Sequence, residues 1–135
     1  MLFDTDLITY RGLYKTIQTD KLNVPSTDGR RTILSNHMPI MLSLETGVIE
    51  TNKEGKLSHY AISEGILYFE NNKATIICDV IEDLENVDAK YYEKRIEEAK
   101  EKLSTARNDD DINRAKIKLA RATNVINATR KIKKN

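Results

Sequence analysis

The chain is poor in the side chains that covalent or metal-based catalysis uses. Of its 135 residues one is cysteine, Cys78, two are histidine, His37 and His59, and none is tryptophan. A single thiol excludes an internal disulfide and a cysteine-ligated zinc site. No G-x-S-x-G elbow, GxxxxGK[ST] phosphate loop or GxGxxG turn occurs, which argues against serine-type hydrolysis and against nucleotide hydrolysis by this chain alone. Long apolar runs are also missing: nothing approaches the roughly 18 residues of a membrane helix. The first segment, MLFDTDLITY, carries Asp4 and Asp6 and no cation ahead of its apolar positions. It lacks the pattern of a secretory leader, and a cytosolic location is expected.

Proline and glycine are scarce, two and five residues. Both prolines, two of the glycines and His37 nevertheless crowd into residues 25–49, PSTDGRRTILSNHMPIMLSLETGVI. Nucleophilic catalysis at His37 would need a Ser or Cys activated by the ring and a carboxylate to orient it. The sequence offers no such set. The better reading is local: Gly29 permits a tight turn, Ile33-Leu34 begins a buried strand, and Pro39 pushes His37-Met38 toward extended or turn geometry. His37 is then expected as an exposed loop residue.

The composition otherwise suits a soluble globular chain, 39% apolar and 32% charged. The formal net charge of +1 hides an asymmetry. Residues 1–87 hold 8 Lys and Arg against 13 Asp and Glu, whereas residues 88–135 hold 14 against 8. The halves therefore carry −5 and +6 and face different partners.

The hydrophobic period changes at the same place. In KATIICDVI, Ala74, Ile76, Cys78 and Val80 alternate with Lys73, Thr75, Ile77 and Asp79, a strand with one core face and one mixed face. It pairs naturally with GILYFE through Asn71-Asn72, whose side chains tolerate positive φ. Two further hairpins are expected, one joining GVIE to KLSHYAIS through Asn52–Gly55, the other joining DLITY to YKTIQTDKLNV around Arg11-Gly12. Many short strands with frequent turn signals indicate a β-sandwich or flattened barrel. From Asp88 onward, Tyr92, Ile96, Ala99, Leu103 and Ala106 follow helical spacing, and so do Ile112, Ala115, Leu119, Ala122 and Ile126. Asp88 is the expected N-cap of the first helix, and the NDDD run at 108–111 separates the helices and caps the second. The fold expected is β plus α: a strand domain over residues 1–84, then an antiparallel helical hairpin over 85–135 with thin, alanine-rich seams.

The second helix holds the strongest charge signal. From Ile112 to Asn135 there are eight cations, Arg114, Lys116, Lys118, Arg121, Arg130, Lys131, Lys133 and Lys134, and no anion. This is a solvated face, or a surface for an acidic protein or a nucleic-acid backbone. A basic-tailed nucleic-acid adapter stays open, although no aromatic residue interleaves these cations.

Three stretches in order carry a resemblance. VPSTDGRRTILSNHMPIMLSLETGVI resembles the epsilon-subunit family of F-type ATP synthases, where Val-x-x-Pro and a Gly turn lead to Ile-Leu, x-x-His-x-Pro and Gly-Val-Ile. AISEGILYFENNKATIICDVIE is similar to that family's next pair of strands, and RAKIKLARATNVI to its terminal helix. The resemblance implies a ten-stranded sandwich clamped to the gamma subunit and the c-ring, with a helical hairpin that regulates ATP hydrolysis against the catalytic beta and alpha subunits. It implies a noncatalytic subunit peripheral to the cytoplasmic face of the cell membrane, with no nucleic-acid partner and no membrane insertion, or an epsilon-like subunit of a specialised ATPase without a proton channel. Asp28, Gly29, Arg30, Arg31, His37, Met38 and Pro39 are then expected as a contact loop for the rotor and c-ring, and Arg114, Lys116, Lys118 and Arg121 as a regulatory basic helix. Gly29-Arg30-Arg31-Thr32 stands where many relatives carry Gly-Glu-x-Gly. Some relatives bind ATP through an Asp-x-x-Arg-Ala motif and second-helix arginines. Here Asp88 and Arg121 remain, but Tyr91-Tyr92 replaces Arg-Ala, so the site is expected to be vestigial and no cofactor is expected.

Overall fold

Alternation of apolar and polar residues builds ten strands before any long helix. They are β1 (Phe3–Thr9), β2 (Gly12–Thr19), β3 (Lys21–Ser26), β4 (Gly29–Leu34) and β5 (Ile40–Leu44), then β6 (Gly47–Lys53), β7 (Lys56–Ile62), β8 (Gly65–Glu70), β9 (Lys73–Cys78) and β10 (Ile81–Asp83). The computed structural model describes residues 1–133. The chain divides into two compact units, Met1–Asp83 and Leu84–Asn135.

In the first unit the strand order is β10-β7-β6-β3-β5-β8-β9-β1-β2, with β4 attached to β3. All pairings are antiparallel except β1 with β9. β3 is shared: Lys21–Asn23 pair with β6, and Ser26 pairs with Leu44 of β5. The sheet therefore folds over itself into a nearly closed barrel. The two ends of the strand order meet through side chains, since Lys15 of β2 donates to the Tyr60 hydroxyl of β7 at 3.3 Å. That bond holds the Lys15 pKa above its usual value, and burial with Glu82 and Asp83 nearby raises that of Tyr14.

The inward phase of each strand makes one core: Phe3 and Leu7, Leu22 and Val24, Leu42 and Leu44, Leu67 and Phe69, Ala74, Ile76 and Cys78. Two turns use positive φ as the hairpin twist requires, Asn71-Asn72 at 54° and 58°, and Glu54-Gly55 at 53° and 89°. The second is tighter than the Asn52–Gly55 turn expected from sequence, because Thr51–Lys53 continue β6. YKTIQTDKLNV also divides at Asp20 into β2 and β3. Buried Thr19 fixes this corner: its hydroxyl lies 2.6 Å from the Asn52 carbonyl and accepts the Asn52 N–H at 3.0 Å.

Gly65 has a different reason. It pairs with Cys78, and a Cβ there would stand 2.2 Å from the Ile77 carbonyl oxygen and 2.7 Å from Cys78 Cβ. Only a residue without a side chain lets β8 approach β9 this closely.

The second unit holds a 3-10 turn, Leu84–Asn86, then α1 (Ala89–Thr105) and α2 (Asp109–Lys133). Asp88 caps α1, its Oδ1 accepting from the Lys90 and Tyr91 amides at 3.1 and 3.3 Å. Asn108 caps α2 through a 2.8 Å bond from the Asp111 amide, and its own amide donates to the Asp111 carboxylate at 3.0 Å. The three-residue link Ala106–Asn108 turns the helices antiparallel. Ala99 is buried in α1, and Ala115, Ala122 and Ile126 in α2, along the expected seams. Buried Val125, Ala128 and Thr129 widen the apolar face near the end of α2 beyond those seams.

Candidate functional site

The stretch from Asp28 to Pro39 is not one loop. Thr27-Asp28 form a turn, Gly29–Leu34 form β4, and a second turn leads through His37 to Pro39. The six residues of β4 span about 20 Å at strand rise. The sheet register puts Gly29 opposite Ser26, at the end of the barrel shared with Leu44 and Gly65. His37 belongs to the opposite end, where Asn36 N–H donates to Asn72 Oδ1 at 2.7 Å. Asp28, Gly29, Arg30 and Arg31 are thus separated from His37, Met38 and Pro39. Ile33-Leu34 end a strand rather than begin one, because the turn at Asp28 starts pairing four residues earlier than the apolar pair suggests.

His37 is half-buried, not exposed. Its ring meets Phe69 edge to face at 6.0 Å, and Nδ1 donates to the Met38 carbonyl at 2.6 Å. The carbonyl can only accept, which assigns the proton to Nδ1. Met38 beside it is 73% exposed. His59, the other histidine, pairs with Glu50 at 2.9 Å on β6.

The two arginines of β4 diverge. Arg30 lies back across the sheet and donates to Asn23 Oδ1 at 2.5 Å and to the Val48 carbonyl at 2.8 Å. This burial lowers its pKa, with Glu50 opposing. Arg31 occupies the other phase of the strand and is exposed.

A surface that the sequence reading passed over lies on the outer face of β5, β8, β9, β1 and β2. Ile66 pairs with Ile77, Ile77 with Ile8, and Ile8 with Leu13, so one apolar row crosses four strands. Met41 pairs with Tyr68 two residues further along. Ile66, Ile77, Leu13 and Met41 are 48, 51, 63 and 66% exposed. Contiguous exposed apolar residues of this kind mark an interaction surface. The sequence did carry the signal, in that Ile77 sits on the Lys73-Thr75-Asp79 phase of its strand and Ile66 on the Glu70 phase.

In the helical unit, Arg114 and Lys118 border one groove together with Lys102 and Asp111. Arg95 and Lys102 of α1 line its continuation beside Lys118. Arg121 follows on the same stripe at i+7 and is half-buried, while Lys116 falls on the opposite side by helical period. Three of the four expected basic residues share a stripe. The α1 cations were hidden in the sequence by interspersed glutamates. Lys134 and the side chain of Lys133 lie outside the described residues. Asp88 is occupied as a cap, and Tyr91 beside it packs edge to face on Tyr92 and carries the Arg95 guanidinium 5.7 Å over its ring. Among the described residues no group of three or more His, Cys, Asp or Glu is placed to hold a metal ion.

Residues 3–84 match the family model of the ATP synthase delta/epsilon chain beta-sandwich domain. An ATP synthase epsilon chain of Lactobacillus helveticus is 33% identical over 132 residues, covering 93% of this chain and 90% of that one. The chain belongs to the ATP synthase epsilon family. Another epsilon chain, from Hydrogenobaculum, is 30% identical, with 93% of this chain and 92% of the relative covered. Membership in the epsilon family therefore extends through the helices as well as the barrel. The fold also matches a chain in the Euglena gracilis mitochondrial ATP synthase, in an OSCP/F1/c-ring structure, with TM-score 0.74, 22% identity, and 94% of this chain and 81% of that chain covered. A chain of the Tetrahymena thermophila mitochondrial ATP synthase central stalk and c-ring gives 0.63 at 14% identity, with 93% and 95% covered. No helix among the described residues is long and apolar enough to cross a membrane.

Proposed function

We propose that this epsilon-family chain is a noncatalytic central-stalk subunit that couples the gamma subunit to the c-ring and regulates ATP hydrolysis through its helical hairpin. It works peripherally at the cytoplasmic face of the cell membrane. The observation that carries the reading is the apolar row Leu13–Ile8–Ile77–Ile66, presented on a rigid barrel in a chain that aligns with epsilon chains over nearly its whole length. Gamma covers that row. Residues 1–84 act as the rotor-binding domain and residues 85–135 as the regulatory hairpin. The state of His37 supports a noncatalytic role, since its Nδ1 proton is committed to the Met38 carbonyl and its ring to Phe69.

The basic stripe of Arg114, Lys118 and Arg121, joined by Arg95 and Lys102, meets the acidic surface of the catalytic beta subunits, and alpha beside them, as a brake. Inverting a 1:99 equilibrium needs about 5.5 kcal/mol, whereas an exposed ion pair contributes about 0.2 to 1 kcal/mol. Several cations must therefore act together. With Asp88 engaged as a cap and Tyr91-Tyr92 beside it, ATP does not release this brake by binding the chain.

The test is purification of the complex through a tag on this chain, followed by ATPase rates against ionic strength. Gamma, c-ring and catalytic subunits should copurify. Joint replacement of Arg114, Lys116, Lys118 and Arg121 by Gln should raise hydrolysis at low salt and flatten its salt dependence, while Lys116→Gln alone should do neither. An unchanged rate and salt profile in the quadruple variant, with the chain still bound, would remove the regulatory role.

A further inference from the structure

Among the described residues, β4 is the one strand attached outside the strand path, and β3 is its sole ladder partner. The register shows which of its backbone groups are left open. Pro25 turns its carbonyl to β5, where it accepts the Glu45 N–H at 2.8 Å. Its register partner Arg30 therefore directs its own N–H and C=O away from β3, and by antiparallel alternation Thr32 and Leu34 do the same. The Leu34 carbonyl confirms this direction by accepting the His37 N–H at 3.1 Å. That bond closes one end of the edge. Arg30 and Thr32 remain as a two-step ladder, with donors and acceptors at the spacing a further strand would use.

The charge on this edge is specific. Within residues 1–87, which carry −5, Arg30-Arg31 is the sole adjacent pair of cations. Arg30 is tied to Asn23 and Val48, which anchors β4 to the barrel across β3. Arg31 is exposed on the other phase, and among the described residues its guanidinium has no hydrogen bond or ion pair. A strand laid along β4 would bring an alternate side chain opposite Arg31 at cross-strand distance, where a carboxylate is favoured and a cation opposed.

We propose that the open edge of β4 receives an extended, carboxylate-bearing segment of a neighbouring ATP synthase subunit by strand addition, with Arg31 as the residue that selects the acidic side chain. This rests on the function proposed above and names the chemistry of one contact within it. Strand addition uses Arg30 and Thr32 backbone groups, and so differs from coverage of the apolar row on the outer face.

Residue-resolved hydrogen exchange on the isolated full chain and on the purified complex tests it. The Arg30 and Thr32 amides should exchange freely in the isolated chain and slow by about 100-fold in the complex, while Arg31 and Ile33, already bonded to β3, change little. Thr32→Pro removes the outward N–H together with the hydroxyl that accepts from the Asn23 amide at 2.9 Å, and should deplete the chain from the complex in a high-salt wash, whereas Thr32→Val, which loses the same hydroxyl but keeps the N–H, should not. Arg31→Glu should deplete it most at low salt. A chain that stays bound while Arg30 and Thr32 exchange as freely as before would overturn the proposal, leaving the cations as a guard against edge-to-edge aggregation. Protection with an Arg31→Glu variant that binds like the parent would overturn the acidic partner. Failure of the chain to copurify with ATP synthase subunits would overturn the central-stalk function and this contact with it.

Discussion

Replacing Ile66 and Ile77 together by Thr should strip the outer face of its central apolar pair while leaving the barrel intact. Both residues keep a β-branched side chain, so strand preference is retained. They are 48 and 51% exposed, which leaves about half of each side chain for a partner to cover. Complete burial of an isoleucine is worth about 1.5 to 3 kcal/mol, so the uncovered halves contribute about 2 kcal/mol together. That corresponds to roughly a 30-fold loss of affinity. The assay is titration of full-length chain into ATP synthase stripped of this subunit, with thermal midpoints of the isolated chain as the control for folding. Exposed substitutions of this kind should move stability by no more than about 0.5 kcal/mol. Parental affinity in the double variant, with an unchanged midpoint, would mean that gamma does not cover this row and that the reading of the outer face is mistaken.

Other expectations test separate parts of the structure. Gly65→Ala forces a Cβ against the Ile77 carbonyl and Cys78, and should destabilise the barrel by about 1 to 3 kcal/mol, visible as a midpoint lowered by roughly 5 to 20 °C; a shift of less than that range would show that β8 and β9 separate easily. His37→Ala should leave ATP hydrolysis by the complex intact and lower the midpoint slightly, since an edge-to-face ring pair is worth about 0.5 to 1.5 kcal/mol. Abolished hydrolysis in an assembled complex would restore His37 as a catalytic candidate. The Thr16 hydroxyl first, and Lys73 after it, hold the Asp6 carboxyl below its ordinary value of 3.8. A depressed folded pKa contributes stability above the unfolded value and loses it as pH falls through the folded one. Asp6→Asn should therefore flatten the acid limb of the stability curve, and an acid limb as steep as the parent's would assign that limb to other carboxylates.

Where one residue type decides a local conformation, the sequence was legible. Asn71-Asn72 announced a hairpin because asparagine accepts positive φ, and Asp88 announced a helix start because its carboxylate reaches two amides. The strand-to-helix switch was visible because the period itself changes. Other features depended on pairing between distant segments. The corner at Asp20 between β2 and β3 has a local part, the Thr19 hydroxyl 2.7 Å from the Lys21 carbonyl, and a distant one, the same hydroxyl bonding to Asn52, 33 residues away. Likewise Asp28–Pro39 is one contact loop only by what the family resemblance implies, while the register with β3 makes its middle a strand. The apolar row was hardest to see. Each of its members is an ordinary exposed residue alone, and only the parallel pairing of β1 with β9 places Ile8 beside Ile77.

The two units differ in how easily they can change. In the barrel, large side chains such as Leu7, Leu22, Ile49, Leu67 and Phe69 are wholly buried, and β3 is held from both sides. Moving one strand would break ladders on each side of it. The hairpin alternates Ile96 and Leu103 with Ala99, and Leu119 and Ile126 with Ala115 and Ala122, so every second layer contributes a methyl group. Such a seam supplies less burial per turn than the barrel does, and its local opening free energy is correspondingly smaller. A few kcal/mol from clustered cations can shift an equilibrium there, but cannot remodel the barrel. Under the proposed function, the rotor contacts therefore fall on strands that hold their geometry under load. The proposed regulation falls on the helices, where a marginal seam lets a charged surface decide between conformations.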